Sequence, residues 1–387
     1  MAYNLSSMTV TVRSFAKINL GLRIGAARPD GFHDLLTVYQ TISLHDVLRV
    51  SVGRGTGIEI QCADSRVPRD ESNTCFRIVE KAMQALGAKV RVVIDIEKRL
   101  PVQGGLGGAS SNAVSALVGL ERALKKSLSI AERLRIAAEV GSDLPLFLVG
   151  GTVLGLGRGE QVYPLEDLPA LPCVVITPEV GVSTPKAFAD WDRQWDRLCG
   201  AGTLAREMLP PAHASGGAKG MGAVLAEAEQ PAKLRSARTG KACPELAEGS
   251  ARPHTSTAEL TVPGASDRMI ELSRAYTAWL SKHYSGAPFG RGRAENPLLE
   301  LVRAGIKNDF EEVVFPEYPE LCEGKRALER AGAKYASLSG SGSTLYGLFA
   351  TGQAAVKAAA RLRKQGWKVE ATTTLTRSRY WRQIFDC

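Results

Sequence analysis

Residues Leu100 to Asn112 read Leu-Pro-Val-Gln-Gly-Gly-Leu-Gly-Gly-Ala-Ser-Ser-Asn. Four glycines in five positions (Gly104, Gly105, Gly107 and Gly108) remove the side chains that would hold a backbone away from a bulky anion. Ser110, Ser111 and Asn112 follow, and then Ala113, Val114, Ala116, Leu117, Leu120 and Leu124 recur at helical spacing. A glycine loop that runs into a helix start presents free backbone N–H groups and the positive end of the helix dipole, which together make a phosphate cradle. The loop has neither the Gly-Lys-Ser/Thr ending of a Walker A loop nor a clean Gly-x-Gly-x-x-Gly. In purely structural terms the same stretch is a flexible loop capped by Ser110 or Ser111.

Other chemically capable residues are scattered along the chain. Between Thr9 and Ile24, apolar residues alternate with Lys17, Asn19, Gly21 and Arg23, which puts Lys17 and Asn19 on one face of a strand. A solvated face is the simplest reading of that lysine. Arg28-Pro29-Asp30-Gly31 is a turn that delivers Phe32 and His33 at its far side. Asp143, within Gly141-Ser142-Asp143-Leu144-Pro145, sits where a helix N-cap belongs. Ser339-Gly340-Ser341-Gly342 is a second glycine loop, in the other half of the chain.

These residues need elements to position them. The pattern predicts strands at Leu35–Val52, Ile58–Cys62 and Val90–Ile96, a helix at Asn73–Leu86 and another at Ile130–Val140. The opening loop therefore lies in a strand–loop–helix unit. Val174–Pro178 reads as a strand, with a capped helix entry at Val182–Phe188. Helices are expected at Asp267–Tyr284, Leu298–Ala304, Pro319–Gly332 and Ala354–Lys364, with strands at Leu345–Phe349 and Trp367–Leu375. A boundary near Pro169–Pro172 divides the chain into domains of residues 1–170 and 171–387. From about 200 to 263 apolar periodicity fades, and composition predicts a mobile insertion.

Composition sets the outer limits. The 387 residues suffice for two domains, and 44% hydrophobic with 23% charged residues is ordinary for a soluble globular protein. A net charge of +9 suits an anionic ligand. Aromatic residues are only 6% and are not interleaved with the basic ones, which argues against stacking on nucleic-acid bases. Seven dispersed cysteines form no metal-ligand spacing and no even framework, and no apolar run is long enough to span a bilayer. A cytoplasmic protein, with neither nucleic acid nor membrane as partner and either monomeric or homodimeric, is the expectation.

In motif order and spacing the chain resembles the GHMP kinase superfamily. Phe15-Ala16-Lys17-Ile18-Asn19-Leu20, the glycine loop with Ser110-Ser111-Asn112, and Ser339-Gly340-Ser341-Gly342 carry that resemblance. The Asp30-Gly31-Phe32-His33 turn, Gly141–Leu148, Thr184-Pro185-Lys186-Ala187-Phe188 and Asn308-Asp309-Phe310-Glu311 narrow it to the branch that acts on a cytidine-diphosphate substrate.

The resemblance implies an α+β fold of two domains, a nucleotide-binding N-terminal one and a ferredoxin-like C-terminal one. It implies ATP-dependent phosphorylation of an erythritol 2-hydroxyl on the way to isoprenoid precursors, with Mg²⁺ on the ATP phosphates. By resemblance Lys17 and Asp143 take the two catalytic positions. Pro101, Val102, Gln103, Gly104, Gly105, Leu106, Gly107, Gly108, Ala109, Ser110 and Ser111 line ATP. Asn19, Phe32, His33, Thr184, Pro185 and Phe188 face the substrate, with Phe32 and Phe188 on either side of the cytosine. Ser110 is within reach of the metal, for which no acidic ligand stands out.

Other kinases of the superfamily, acting on homoserine, mevalonate or a sugar, share the ATP loop, and a catalytically silent nucleotide- or RNA-binding protein is the alternative of another class. The chain departs from its relatives in the long insertion and in the seven residues before Met8, which read as an overlong start. Gln103 and Ala109 also stand where glycine is common, and at Ala109 a positive φ would bring strain.

Overall fold

Two long strands organise the N-terminal half. In this computed structural model, which describes residues 8–194 and 307–385, β1 (Met8–Ala27) pairs antiparallel along the length of β2 (His33–Gly53). Register shifts at Phe15/Ala16 and Asn19/Gly21 change which side chains share a face. Val10, Val12 and Phe15 therefore enter one core, whereas Ala16, Ile18 and Leu20 enter another. Segments 47–53 and 37–40 of β2 pair with β4 (Arg91–Glu97) and β5 (Thr152–Leu156). β3 (Gly57–Cys62) runs parallel to β4, and β6 (Gln161–Pro164) pairs with β5, completing six strands.

Helices cover this sheet. In α1 (Thr74–Leu86), Asn73 Oδ1 accepts the Cys75 N–H and Gly87 closes the end in the left-handed region. α2 (Gly108–Leu124) is buried along most of its length against β1 and β2. Gly119 makes that closeness possible, because a Cβ there would lie 2.8 Å from Val50 Cγ2. α3 (Ile130–Val140) is capped by Ser129, and the short α4 (Leu144–Val149) follows Asp143.

The second sheet holds β7 (Pro172–Ile176), β8 (Tyr335–Leu338), β9 (Leu345–Leu348) and β10 (Val369–Thr373), all antiparallel in the order β10-β7-β9-β8. Helix α5 starts at 184, and α6 (Glu311–Glu317) and α7 (Pro319–Arg330) precede β8. α8 (Gly352–Lys364) joins β9 to β10. The result is a β-α-β-β-α-β unit with the ferredoxin-like strand order, within an α+β fold. Arg361, Arg363 and Lys364 lie in the last turn of α8, where they oppose the negative end of its dipole.

The chain does not end in the second sheet. α9 (Arg377–Gln383) returns to the first core, where Tyr380 and Ile384 are buried beside Phe15 and Phe147. Tyr380 Oη donates to Phe147 O at 2.8 Å, Trp381 Nε1 to Val149 O at 3.0 Å, and Arg13 N to Ile384 O at 2.8 Å. The insertion expected at 200–263 and the helices expected at Asp267–Tyr284 and Leu298–Ala304 lie outside the described residues. Among the described residues no helix is long and apolar enough to cross a membrane.

Candidate active site

The glycine loop is shaped by backbone conformation more than by side chains. Gln103, Gly105 and Gly107 all have positive φ, at 61°, 77° and 69°. Gly107 is the N-cap of α2 and makes no side-chain capping bond, so neither Ser110 nor Ser111 caps this helix. Both serines already lie inside its first turns, where a hydroxyl is past the cap position. The strain foreseen at Ala109 is also absent. That residue is helical, and the uncommon left-handed conformation falls on Gln103, a non-glycine residue. Among the described residues no N-cap side chain takes up the first N–H groups of α2, which lie beside the loop.

Behind the loop the polar groups are tied down. The Ser14 hydroxyl lies 2.8 Å from Ser111 Oγ and 2.6 Å from Asn112 Oδ1, and all three residues are buried. Upstream, the fully buried Asp46 carboxylate accepts the Arg99 and Leu100 N–H groups, each at 2.7 Å, and pairs with Lys98 Nζ at 2.5 Å. That carboxylate anchors the junction between β4 and the loop.

The second glycine loop packs directly on the first. Ser339 Oγ donates to Gly105 O at 2.9 Å, and Thr344 N donates to Gly104 O at 3.1 Å. Asn308 Nδ2 holds the carbonyls of Leu338 and Gly340, at 2.9 and 2.8 Å. A Cβ on Gly105 would lie 2.2 Å from Ser339 O, and φ there is left-handed. Gly105→Ala is therefore expected to cost about 2 kcal/mol or more in stability, through overpacking and backbone strain, and to raise the KM for ATP. Thermal denaturation and ATP titration check this, and an unchanged Tm with unchanged KM would refute the packing argument.

Lys17 and Asp143 meet beside this double loop. Lys17 N donates to Leu106 O at 2.9 Å, which fixes β1 to the loop. Its side chain is buried: Nζ donates to Asn19 Oδ1 at 2.7 Å and lies 3.4 Å from Asp143 Oδ2. A Cβ on Gly107 would come within 3.0 Å of Lys17 Cγ and of Phe147, so only glycine lets the lysine stem pass. Asn19 is held in turn, its Nδ2 donating to Thr37 Oγ1 and that hydroxyl to Gly21 O, both at 2.8 Å. Lys17 thus lies in a buried polar network, and the solvated-face reading does not apply to it.

Asp143 occupies the N-cap position of α4 without capping it, since its backbone is helical (φ −83°, ψ −7°) instead of extended. Its carboxylate turns to Lys17 and to Tyr39, whose hydroxyl donates to Oδ1 at 3.1 Å. Burial, reinforced by the Asp143 charge, drives the Tyr39 hydroxyl well above its ordinary range, which keeps it a donor. Tyr39, Asp46, Lys98 and Ser14 did not stand out from the sequence. A polar or charged residue within the apolar strand β2 was the available sign for Asp46.

The expected substrate-side residues other than Asn19 fall in three places. Thr184 Oγ1 lies 2.7 Å from Ser341 Oγ, which links the start of α5 to the second glycine loop, and Pro185 is exposed next to it. His33 is stacked on Phe188 (centroids 4.9 Å apart, planes 14°), and His33 Nε2 lies 2.7 Å from Asp192 Oδ1. Phe310 and Phe188 form a T-shaped pair, with centroids 4.9 Å apart and planes at 78°. Phe32 is half exposed beneath the Arg158 guanidinium, 4.9 Å from its ring centroid.

Comparison with known proteins gives the chain a family. The family models described as GHMP kinases N terminal domain and GHMP kinases C terminal match residues 73–151 and 294–367. A 4-diphosphocytidyl-2-C-methyl-D-erythritol kinase from Solibacter usitatus is 32% identical over 338 residues, covering 87% of this chain and 80% of the relative. The chain belongs to the 4-diphosphocytidyl-2-C-methyl-D-erythritol kinase family. A crystal structure of 4-(cytidine 5'-diphospho)-2C-methyl-D-erythritol kinase superposes on this family member with a TM-score of 0.58 at 25% identity, covering 94% of this chain and 98% of that one. Homoserine kinase from Cytophaga hutchinsonii superposes with a TM-score of 0.57 at 17% identity, covering 97% of each chain, a likeness of fold alone.

Proposed function

We infer that this kinase transfers the γ-phosphoryl group of ATP to the 2-hydroxyl of 4-diphosphocytidyl-2-C-methyl-D-erythritol, a step toward isoprenoid precursors. The observation that carries the reading is the Lys17–Asp143 pair set against the two interlocked glycine loops. In the reaction the acceptor oxygen forms a bond to the γ-phosphorus as the bond from that phosphorus to the β–γ bridging oxygen breaks, and ADP leaves. The hydroxyl proton passes to the Asp143 carboxylate. Lys17 holds that carboxylate and offsets the negative charge gathering on the transferred group.

The open N–H groups at the start of α2 supply the phosphate cradle of this reading. Mg²⁺ enters it as a companion of ATP. Among the described residues no three His, Cys, Asp or Glu side chains gather as a cage. The Ser110 hydroxyl, in the first turn of α2, is a hard oxygen donor of the kind Mg²⁺ takes, and a cation held there with the ATP phosphates would neutralise phosphate charge. For the cytosine, Phe32 offers an accessible ring. Phe188 already carries His33 stacked on it and Phe310 in a T-shaped contact, so in this reading it walls the base site through that aromatic cluster. The reading also includes a cytoplasmic setting, in keeping with the free thiols of Cys62, Cys75, Cys173 and Cys322, and a monomer or homodimer without nucleic acid as partner.

The test is ADP release by the purified full chain with ATP, Mg²⁺ and a panel of alcohols. Turnover is expected with the cytidine-diphosphate methylerythritol compound and not with homoserine, mevalonate or a sugar. Clear turnover of one of those alcohols, with none of the cytidine compound, would replace the substrate assignment while leaving the kinase in place.

A further inference from the structure

Asp143 is poorly held by its own helix. It makes no capping bond, a third of its side chain is exposed, and the terminal torsion of an aspartate is broad. A base must present one oxygen to the hydroxyl it deprotonates, so the carboxylate plane has to be set by something outside α4. Among the described residues the neutral donor that meets it is Tyr39, buried in the sheet on β2, directly opposite Asn19 in the β1–β2 register.

We propose that Tyr39 is a positioning residue for phosphoryl transfer, its hydroxyl fixing the plane of the Asp143 carboxylate so that Oδ2 faces Lys17 and the acceptor hydroxyl. The proposal rests on the reading of Asp143 as the base. Tyr39 touches both members of the pair: Oη donates to Asp143 Oδ1 at 3.1 Å, and Lys17 Nζ lies 5.7 Å from the ring centroid. With Oδ1 taken by tyrosine, Oδ2 is the oxygen left at the looser distance of 3.4 Å from Lys17.

The surrounding backbone is cut to fit this tyrosine. A Cβ on Gly159 would lie 2.4 Å from Tyr39 Oη, and one on Gly155 would lie 2.5 Å from Tyr39 Cε2. Two glycines from the β5–β6 hairpin therefore clear space at the hydroxyl and along the ring edge. A Cβ at Gly159, where φ is +101°, would push the hydroxyl away from Asp143 and would itself lie 3.9 Å from Asp143 Oδ1, a looser contact than the 2.4 Å to the tyrosine.

Tyr39→Phe keeps the ring and removes only the hydroxyl. A hydrogen bond to a charged group supports an expected fall in kcat of about 10-fold, with the KM for ATP and for the acceptor within about two-fold. In an Asp143→Asn background the same change is expected to cost nothing further, since its effect runs through the carboxylate. Gly159→Ala is expected to lower kcat in the parent and to add little in the Tyr39→Phe background. A Tyr39→Phe enzyme with unchanged kcat overturns the proposal. So does a rise confined to the acceptor KM, which would make Tyr39 a substrate contact, or a full further loss in the Asp143→Asn background. If Tyr39→Phe fails to fold, Gly159→Ala decides alone, and unchanged kcat there overturns it. All arms use whichever alcohol the parent phosphorylates, so failure of the cytidine substrate assignment is seen separately, in the parent.

Discussion

Asp143→Asn is expected to lower kcat by about 10²–10⁴-fold while leaving the KM for ATP within about two-fold, on the scale of losing a general base. Asparagine is nearly the same size and can still accept the Tyr39 hydrogen bond, so the geometry around Oδ1 survives. It carries no negative charge for Lys17 and cannot take the proton of the acceptor. The ATP cradle stands apart from this change, because the glycine loop is fixed by Ser339, Thr344 and the Lys17 backbone N–H, none of which uses the Asp143 side chain. Folding should hold as well, since the carboxylate contributes no helix cap. Steady-state kinetics and a melting curve check both halves, and parental kcat in a folded variant would remove Asp143 from the chemistry.

The second large effect is expected at Lys17. Lys17→Met keeps an unbranched stem of similar length in the channel beside Gly107 and deletes the charge. Loss of one preorganised electrostatic contact predicts a fall in kcat of about 10²–10³-fold. Asn19 Oδ1 also loses its ammonium donor, so some thermal destabilisation should accompany the kinetic loss. Lys17→Arg is not expected to rescue activity, because the stem is confined by Gly107 and Phe147 and the wider guanidinium has no room to stay in register with Asp143. Rescue by arginine would show that charge alone suffices, and the positional account would fall.

Much of the fold was legible because it follows from short-range rules. Period-two alternation marked β1, Asn73 stood at the start of α1, and the β-branched run marked β4. The close approach of backbone at the glycine loop was legible because glycine density is itself its physical cause. Less legible was anything that depends on pairing between distant segments. Alternation placed Lys17 and Asn19 on one face but could not say that the face is buried, because what buries it includes a loop some 90 residues on and another past residue 338. Tyr39 reads as an ordinary apolar strand residue until β2 is set in register with β1 and Asp143 is brought to its hydroxyl. Capping was misjudged at α2 for a local reason: a left-handed glycine can start a helix with no side-chain acceptor, so the serines after it are free for other bonds.

The return of α9 to the first core ties the order of synthesis to the order of folding. Tyr380, Trp381 and Ile384 close a surface formed by Phe15, Phe147 and Val149, residues made more than two hundred positions earlier. At ribosomal rates of about 5–20 residues per second, the nascent N-terminal sheet waits on the order of 10–40 s for its last layer. During that interval its apolar face is open to chaperones or to neighbouring chains. The final packing of the N-terminal sheet therefore waits on residues made late in translation, as does the second glycine loop that packs on the first.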